Sequence, residues 1–334
     1  MGCATPIVQP SLDVPGRFAA APTSSDEPEA AWWDSFGDPV LTDLILRAAR
    51  ENRDVKIAAE RVRAARASAT VSRSWLWPSI SAIGIGLHQG TGYDAVRRQI
   101  LPDADIAAGG VGVAWEIDLS GRLRSGATAA DADALAVEDG ARGVRLLALT
   151  DVATNYFVLV GALRQLETVR AISAAQDETL RLVSARHRAG LATPFDVERA
   201  QTEAARARAA IPPIETLAAM SRHRIAVLIG DQAFNAASLT PWSGEAIAPP
   251  ARAGQPAALL ERRPALLAAK AQLAAANARR QQAHAEWFPR LIVSALFGSG
   301  NAAVNDFSLG SARFANAAAL LAMPIFNAGR TQAI

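Results

Sequence analysis

The segment from Arg263 to Phe297 repeats the layout of Asn52 to Gly86 at one constant offset. Val55 aligns with Leu266, Val62 with Leu273, and Ala58, Ala64, Ala65 and Ala67 each meet an alanine. Trp77-Pro78 aligns with Phe288-Pro289. A repeat of this kind constrains the fold strongly, because both copies must adopt one local structure and find similar surroundings. In each copy a helix-forming stretch runs into an X-Pro pair, which drives the preceding residue out of the α region and ends the helix. The period then changes to two. Ile83, Ile85 and Leu87 alternate with small residues over Ser79–Gln89, and Val111, Val113, Trp115 and Ile117 do so over Gly110–Ile117. Such alternation predicts half-buried antiparallel strands, here a hairpin joined by the polar stretch Gly90–Asp105. The second copy predicts another hairpin: Leu291–Gly298 outward, polar Ser299–Ser311, and Phe314–Met323 back.

After Glu116-Ile-Asp-Leu-Ser-Gly-Arg122 no proline occurs until Pro194. Val152, Tyr156, Leu159, Leu163, Leu166 and Val169 recur at steps of three and four, the spacing of a coiled-coil seam. At ~1.5 Å per residue the helix is roughly 100 Å long. Gly126, Gly140, Gly143 and Gly161 each weaken it, which predicts closely packed neighbours there. Gly190 suits the left-handed residue that ends the helix. Thr193, Pro194 and Asp196 then form the N-cap, first residue and capping-box partner of an antiparallel helix reaching Ile229, with a kink expected at Pro212-Pro213. Upstream, Asp38-Pro39 starts a helix to Glu51, Asn52 breaks it, and Asp54–Arg73 is again helical. Residues 1–30 carry five prolines and read as an extended tether.

Charge and residue counts narrow the function. Lys and Arg number 34 against 32 Asp and Glu, with no basic run, so the electrostatic footprint of a nucleic-acid binder is missing. Cys3 is the lone cysteine, which excludes a disulfide framework or thiolate cluster. His88, His187, His223 and His284 fall in separate elements at no metal-ligand spacing, and no nucleophile–base pair stands out. The sequence therefore predicts neither an enzyme nor a cofactor or metal protein. No apolar run of ~18 residues is free of charge, so no transmembrane helix is expected, but barrel strands are short and weak in hydropathy. Open strand edges are forbidden at membrane depth, so four strands per chain would have to close by oligomerisation. Trp75, Trp77, Trp115 and Trp287 lie near helix–strand junctions, where an interfacial girdle would need them; capping a soluble helix–sheet core is the other use of such residues. Glu116 and Asp118 could face a lumen and favour cations, although a strand-end charge at the water interface is the commoner arrangement.

Trp32-Trp33-Asp34-Ser35-Phe36-Gly37-Asp38-Pro39, Leu41, Leu44 and Asn52-Arg53-Asp54 resemble the opening of outer-membrane efflux factors of the TolC-like family, in its lipoprotein (NodT/OprM-like) branch. Arg188–Thr193, Ile211–Glu215, Val227–Gly230 and Arg262–Pro264 extend the resemblance in order to Arg330. It implies a mainly α fold with β. Long antiparallel coiled-coil helices and two β-hairpins would contribute to a trimeric transmembrane β-barrel and a periplasmic α-barrel. The implied layout is a lipid-anchored tether (1–30), first-repeat equatorial and ascending helices (31–77), and a first outer-membrane hairpin (78–120). A long periplasmic helical hairpin (121–230), an equatorial linker (231–256), second-repeat helices (257–288) and a second outer-membrane hairpin (289–323) follow. Residues 324–334 would begin a second long helix, C-terminally truncated.

The implied function is a passive exit duct in the outer membrane of a Gram-negative bacterium. An inner-membrane pump would expel drugs or other small molecules into it through a periplasmic adaptor (membrane fusion protein). Homotrimer formation and contact with outer-membrane lipids follow from the same resemblance. Cys3, after Met1-Gly2, resembles a lipid-attachment residue, and Gly190, Leu191 and Thr193 the adaptor-docking tip. Asp196 resembles a gate aspartate, with a helix cap as the plainer role, and Phe195 departs from the polar residue expected beside it. Two other readings compete. A non-conducting fragment of such a factor would leave an apolar seam exposed, and an adaptor protein would carry one helical hairpin without repeated strand pairs.

Overall fold

The computed structural model describes residues 31–90, 103–231, 239–241, 255–305 and 307–326, with 92, 94, 96, 97, 100, 328 and 329. Cys3 and the tether 1–30, most of the linker 231–256 and residues 330–334 lie outside the described residues. A short 3₁₀ turn (Trp32–Phe36) leads to α1 (Pro39–Glu51), α2 (Arg53–Ser74), β1 (Ser79–Gln89), β2 (Ala104–Ile117) and α3 (Arg122–Arg188). Then come α4 (Pro194–Ala209), α5 (Ile211–Ile229), α6 (Leu259–Arg262), α7 (Pro264–Ala285), β3 (Arg290–Val304) and β4 (Phe307–Ala322). These elements fall into two compact units. One holds Val62–Glu138 and the chain from Leu267 on; the other holds the segment ending at Arg61 and Asp139–Leu266.

The second of these is a helical unit with a conventional core. Leu41 and Ile45 of α1, Val152, Tyr156 and Leu159 of α3, and Ile225 and Ile229 of α5 are fully buried together. Asp38 caps α1, its Oδ1 accepting from the N–H groups of Val40 (2.9 Å) and Leu41 (3.0 Å). Its other oxygen accepts the buried Tyr156 hydroxyl at 2.5 Å. Asn52 both caps α2, through Val55 N–H at 3.0 Å, and donates to Leu228 O at 2.8 Å, which closes the break between α1 and α2 over the end of α5. One stretch of α3 is long and apolar enough to pass as a membrane span by composition, contrary to the expectation drawn from its charges. The expected kink at Pro212-Pro213 becomes a helix boundary one residue ahead of them. Ala210 separates α4 from α5 at φ −76°, ψ −14°, and both prolines occupy the first turn of α5, where the missing N–H costs nothing.

The other unit contains the sheet. Its order is β1-β2-β3-β4, every neighbour antiparallel. β1 spans the expected residues, but β2 starts at Ala104, β3 continues to Val304 and β4 begins at Phe307, so the polar connections are shorter than the sequence predicts. Ladder hydrogen bonds are made by backbone, so stretches of Gly, Ala, Ser and Asn pair without showing alternation. Asn305, at φ +49°, turns β3 into β4. Its N–H donates to Asp103 O and its Oδ1 accepts from Asp103 N–H, both at 2.9 Å, tying that turn to the start of β2.

Arg66 and Arg73 of α2 pair with Glu138 (2.6 Å) and Asp131 (2.8 Å) of α3, and Arg279 of α7 pairs with Asp133. The glycine expectation holds in part. Gly126 lies against Gln282 and Gly143 against Pro264, whereas nothing lies within 4 Å of a Cβ built at Gly140 or Gly161.

Candidate functional site

The tip of the helical hairpin is built from α3, a five-residue turn and α4. Gly190 takes φ +75°, and its N–H donates to His187 O while Leu191 N–H donates to Arg186 O, each at 2.9 Å. A side chain at Gly190 would have to occupy the strained left-handed region. His187 Nδ1 reaches Ala192 O at 2.8 Å, a contact that requires the proton on Nδ1 and stiffens the turn. Thr193 and Asp196 form the full capping box. Asp196 Oδ2 accepts from Thr193 N–H (2.8 Å) and Thr193 Oγ1–H (2.7 Å), and Thr193 Oγ1 accepts from Asp196 N–H (3.3 Å). The Thr193 hydroxyl first, then its backbone N–H, hold the Asp196 carboxyl below the usual aspartate range; Arg199 and Arg186 act in the same direction. Leu191 and Phe195 stand out into solvent, 70% and 73% exposed. Gly190, Leu191, Thr193 and Asp196 thus come together in one turn, with Phe195 as an apolar addition.

At the other end of α3 the helix joins the sheet. Arg122 Nη2 donates to both carboxylate oxygens of Glu116 at 2.8 Å, and neither side chain is more than a quarter exposed. Asp118 accepts from the N–H groups of Leu123 (3.2 Å) and Arg124 (3.0 Å), two donors that the first turn of α3 cannot satisfy internally. The Arg124 guanidinium adds a further donor, its Nε lying 3.1 Å from Asp118 Oδ2. Neither acid is a free lumenal charge. Glu116 neutralises Arg122 and Asp118 caps the long helix. Gly121, immediately ahead of α3, has no side-chain acceptor, and Asp118 supplies one from three residues upstream.

Trp75 and Trp77 follow α2, Trp115 lies near the end of β2, and Trp287 stands between α7 and β3. Trp75 and Trp77 are 66% and 73% exposed, Trp287 and Trp115 less so. Trp115 Nε1–H donates to Leu76 O at 3.1 Å, which brings the β2 indole to the end of α2. His88 sits beside Asp105, His284 packs at a tilt against Phe288, and no group able to hold a metal is found among the described residues.

The family model for outer membrane efflux proteins matches residues 44–231 and 256–334. The chain belongs to that family. It is 34% identical to the pyoverdine export outer membrane protein OpmQ of Pseudomonas aeruginosa over 95% of this chain and 68% of the relative. Outer membrane protein OprJ of the same species is 31% identical over 90% of this chain and 64% of OprJ. The chain therefore spans about two thirds of the length of these curated relatives. The solved outer-membrane channel OprN superposes with a TM-score of 0.79 at 27% identity, covering 98% of this chain and 75% of OprN. Family members are channel proteins of the outer membrane, and no enzyme chemistry belongs to them.

Proposed function

We propose that this chain forms the outer-membrane stage of an efflux system. It would be a passive duct through which small molecules leave the cell, driven by an inner-membrane pump and reached through a periplasmic adaptor. The observation that carries the reading is the four-stranded sheet whose outer strands, β1 and β4, each leave one edge unpaired among the described residues. Its apolar side chains are exposed on both faces, among them Ile80, Ile83, Val111 and Phe297. Such a sheet is neither a soluble sandwich nor a closed barrel. Three copies side by side would pair each β4 with the next β1 and give twelve strands with no edge.

The remaining assignments follow from that arrangement. The hairpins around 78–120 and 289–323 would cross the outer membrane, with Trp75, Trp77, Trp115 and Trp287 as the girdle at its periplasmic side. The helical hairpin of 121–230 would reach into the periplasm, and the turn at Gly190, Leu191 and Thr193 would meet the adaptor. Asp196 would act there as a helix cap. Cys3 would carry the lipid that anchors the tether of 1–30. Expression with a lipoprotein signal, membrane fractionation and chemical cross-linking test the reading. A cross-linked trimer extracted from outer membranes is the expected result, and a soluble periplasmic monomer would overturn it.

A further inference from the structure

The strand register sorts the side chains of the sheet onto two unlike faces. From the row of Ile117, Leu291 and Leu321 to the row of Ala82, Val111, Phe297 and Ala315, one face carries only aliphatic and aromatic residues. At the same depth the other face carries Ser79, Ser81, Ser294 and Asn316. That second face is also the crowded one. A Cβ at Gly112 would meet Ile83 Cδ1 at 3.0 Å and one at Gly298 the Phe314 ring at 2.6 Å, whereas a Cβ at Gly84 or Gly86, on the first face, would meet nothing within 4 Å. In a barrel strand the continuous apolar band is the side turned to lipid.

The apolar band stops abruptly. Its next row outward is Gly84, Gly109, Ser299 and Arg313, and the row after that is Gly86, Ala107, Asn301 and Ser311. Arg313 lies eight residues from Leu321 on β4, about 26 Å along the strand. At the usual strand tilt this is roughly 20 Å along the barrel axis, close to the ~25 Å apolar band of outer-membrane barrels. A shallow depression of about 660 Å³ lies among Gly84, Ala107, Gly109, Ser299, Asn301 and Ser311. Directly across the ladder from Ser299, Arg313 is exposed, and no acid pairs with it among the described residues. Asp105, the nearest strand acid on this face, lies two strands away and is held by His88. The small residues of β1 and β2 leave the depression open, while β3 and β4 edge it with hydroxyl, amide and guanidinium groups.

We propose that this depression binds the headgroup of a phosphorylated glycolipid in the outer leaflet, with Arg313 on the phosphate and Ser299, Asn301 and Ser311 on sugar hydroxyls. The proposal rests on the channel reading above, which turns the apolar face to lipid and sets the end of the sheet away from the helices at the cell surface. A guanidinium offers paired donors to phosphate oxygens, and at the rim of the apolar band it meets a lipid whose acyl chains already lie against that band.

The experiment measures binding of fluorescent lipid A to the detergent-purified full chain, wild type against Arg313→Gln, Arg313→Lys and Arg61→Gln. Arg61 is an exposed residue of α2 and serves as the control for unspecific charge. Arg313→Gln should weaken binding about tenfold, as loss of a charged hydrogen-bonding partner does, Arg313→Lys by less, and Arg61→Gln not at all. Equal binding by wild type and Arg313→Gln, or an equal loss in Arg61→Gln, would overturn the site. With dephosphorylated lipid A the difference between wild type and Arg313→Gln should vanish; a difference that persists refutes the phosphate contact. Excess inorganic phosphate should leave lipid A bound, and displacement by it would reveal a free-anion site in place of a lipid one. Ser299→Ala combined with Asn301→Ala should weaken lipid A and spare phosphatidylglycerol; equal weakening of both refutes the sugar contacts. Protease protection in phosphatidylcholine vesicles separates this proposal from the reading beneath it. A chain that does not insert, yet binds lipid A through Arg313, leaves the site standing and removes the channel. A chain that inserts but binds independently of Arg313 does the reverse.

Discussion

The two compact units bury their residues in different ways. The helical unit encloses Leu41, Ile45, Val152, Tyr156, Leu159, Ile225 and Ile229 completely, and inside it the Tyr156 hydroxyl pairs with Asp38 and the Asn52 amide with Leu228 O. In the sheet unit, the hydrophobic residues buried among those described are alanines, such as Ala69, Ala127, Ala271 and Ala275. Its large apolar side chains stand exposed on the strands. Burying a Leu, Ile or Phe side chain contributes about 1.5–3 kcal/mol, so the first unit draws its stability from its own interior. In the proposed channel the second would obtain the equivalent from outside the chain, from lipid on one sheet face and neighbouring subunits at its edges. One polypeptide thus combines a self-contained module with one completed by its surroundings.

Four experiments would break or sharpen this contrast. Leu41→Ala empties the helical core and should cost ~2–5 kcal/mol, seen as a lowered urea midpoint that is the same in detergent and in vesicles. A cost that depends on the bilayer would mean the helical unit is not self-contained. Phe297→Arg, on an exposed position of β3, should cost ~2–4 kcal/mol in refolding into vesicles if the sheet crosses the bilayer as proposed, a penalty set by depth in the membrane. Ala275→Leu, at a fully buried alanine of α7, should cost ~1–3 kcal/mol through overpacking, read by thermal unfolding; a stabilised variant would show room that the alanines do not fill.

The smallest effect belongs to the tip. Thr193→Ala removes the cap and should cost ~1 kcal/mol. Because the folded carboxyl of Asp196 is lowered, its contribution is present above the ordinary aspartate pKa of ~3.9 and is lost as pH falls through the lowered value. Amide exchange at the start of α4 should therefore be insensitive to pH-linked opening at neutrality and accelerate only in acid. Opening that begins near pH 6 would refute the cap.

Much of this architecture was readable in the residues. The X-Pro pairs, Gly190, the Thr193–Asp196 spacing and the proline-free stretch after Arg122 each encode a local rule, and the elements begin and end where those rules act. Strand length was less legible, because the outer halves of β2 and β3 are rich in Ala, Gly, Ser and Asn, whose pairing depends on backbone rather than on pattern. The roles of Glu116 and Asp118 required the structure, since their partners become neighbours only once the chain turns at Gly121. Which sheet face is crowded could not be read at all. That depends on cross-strand register, which sets Phe314 over Gly298 and Ile83 beside Gly112.

The Glu116–Arg122 and Asp118–Arg124 contacts have a mechanical consequence. They leave no slack between the last residues of β2 and the first turn of α3, so the elbow transmits torque instead of absorbing it. A twist applied to the helix must pass into the strand or be taken up farther along the chain. Between α4 and α5, by contrast, Ala210 keeps helical dihedrals and its N–H donates to Arg206 O at 3.2 Å, so the two helices are joined by backbone alone, with no side-chain clasp.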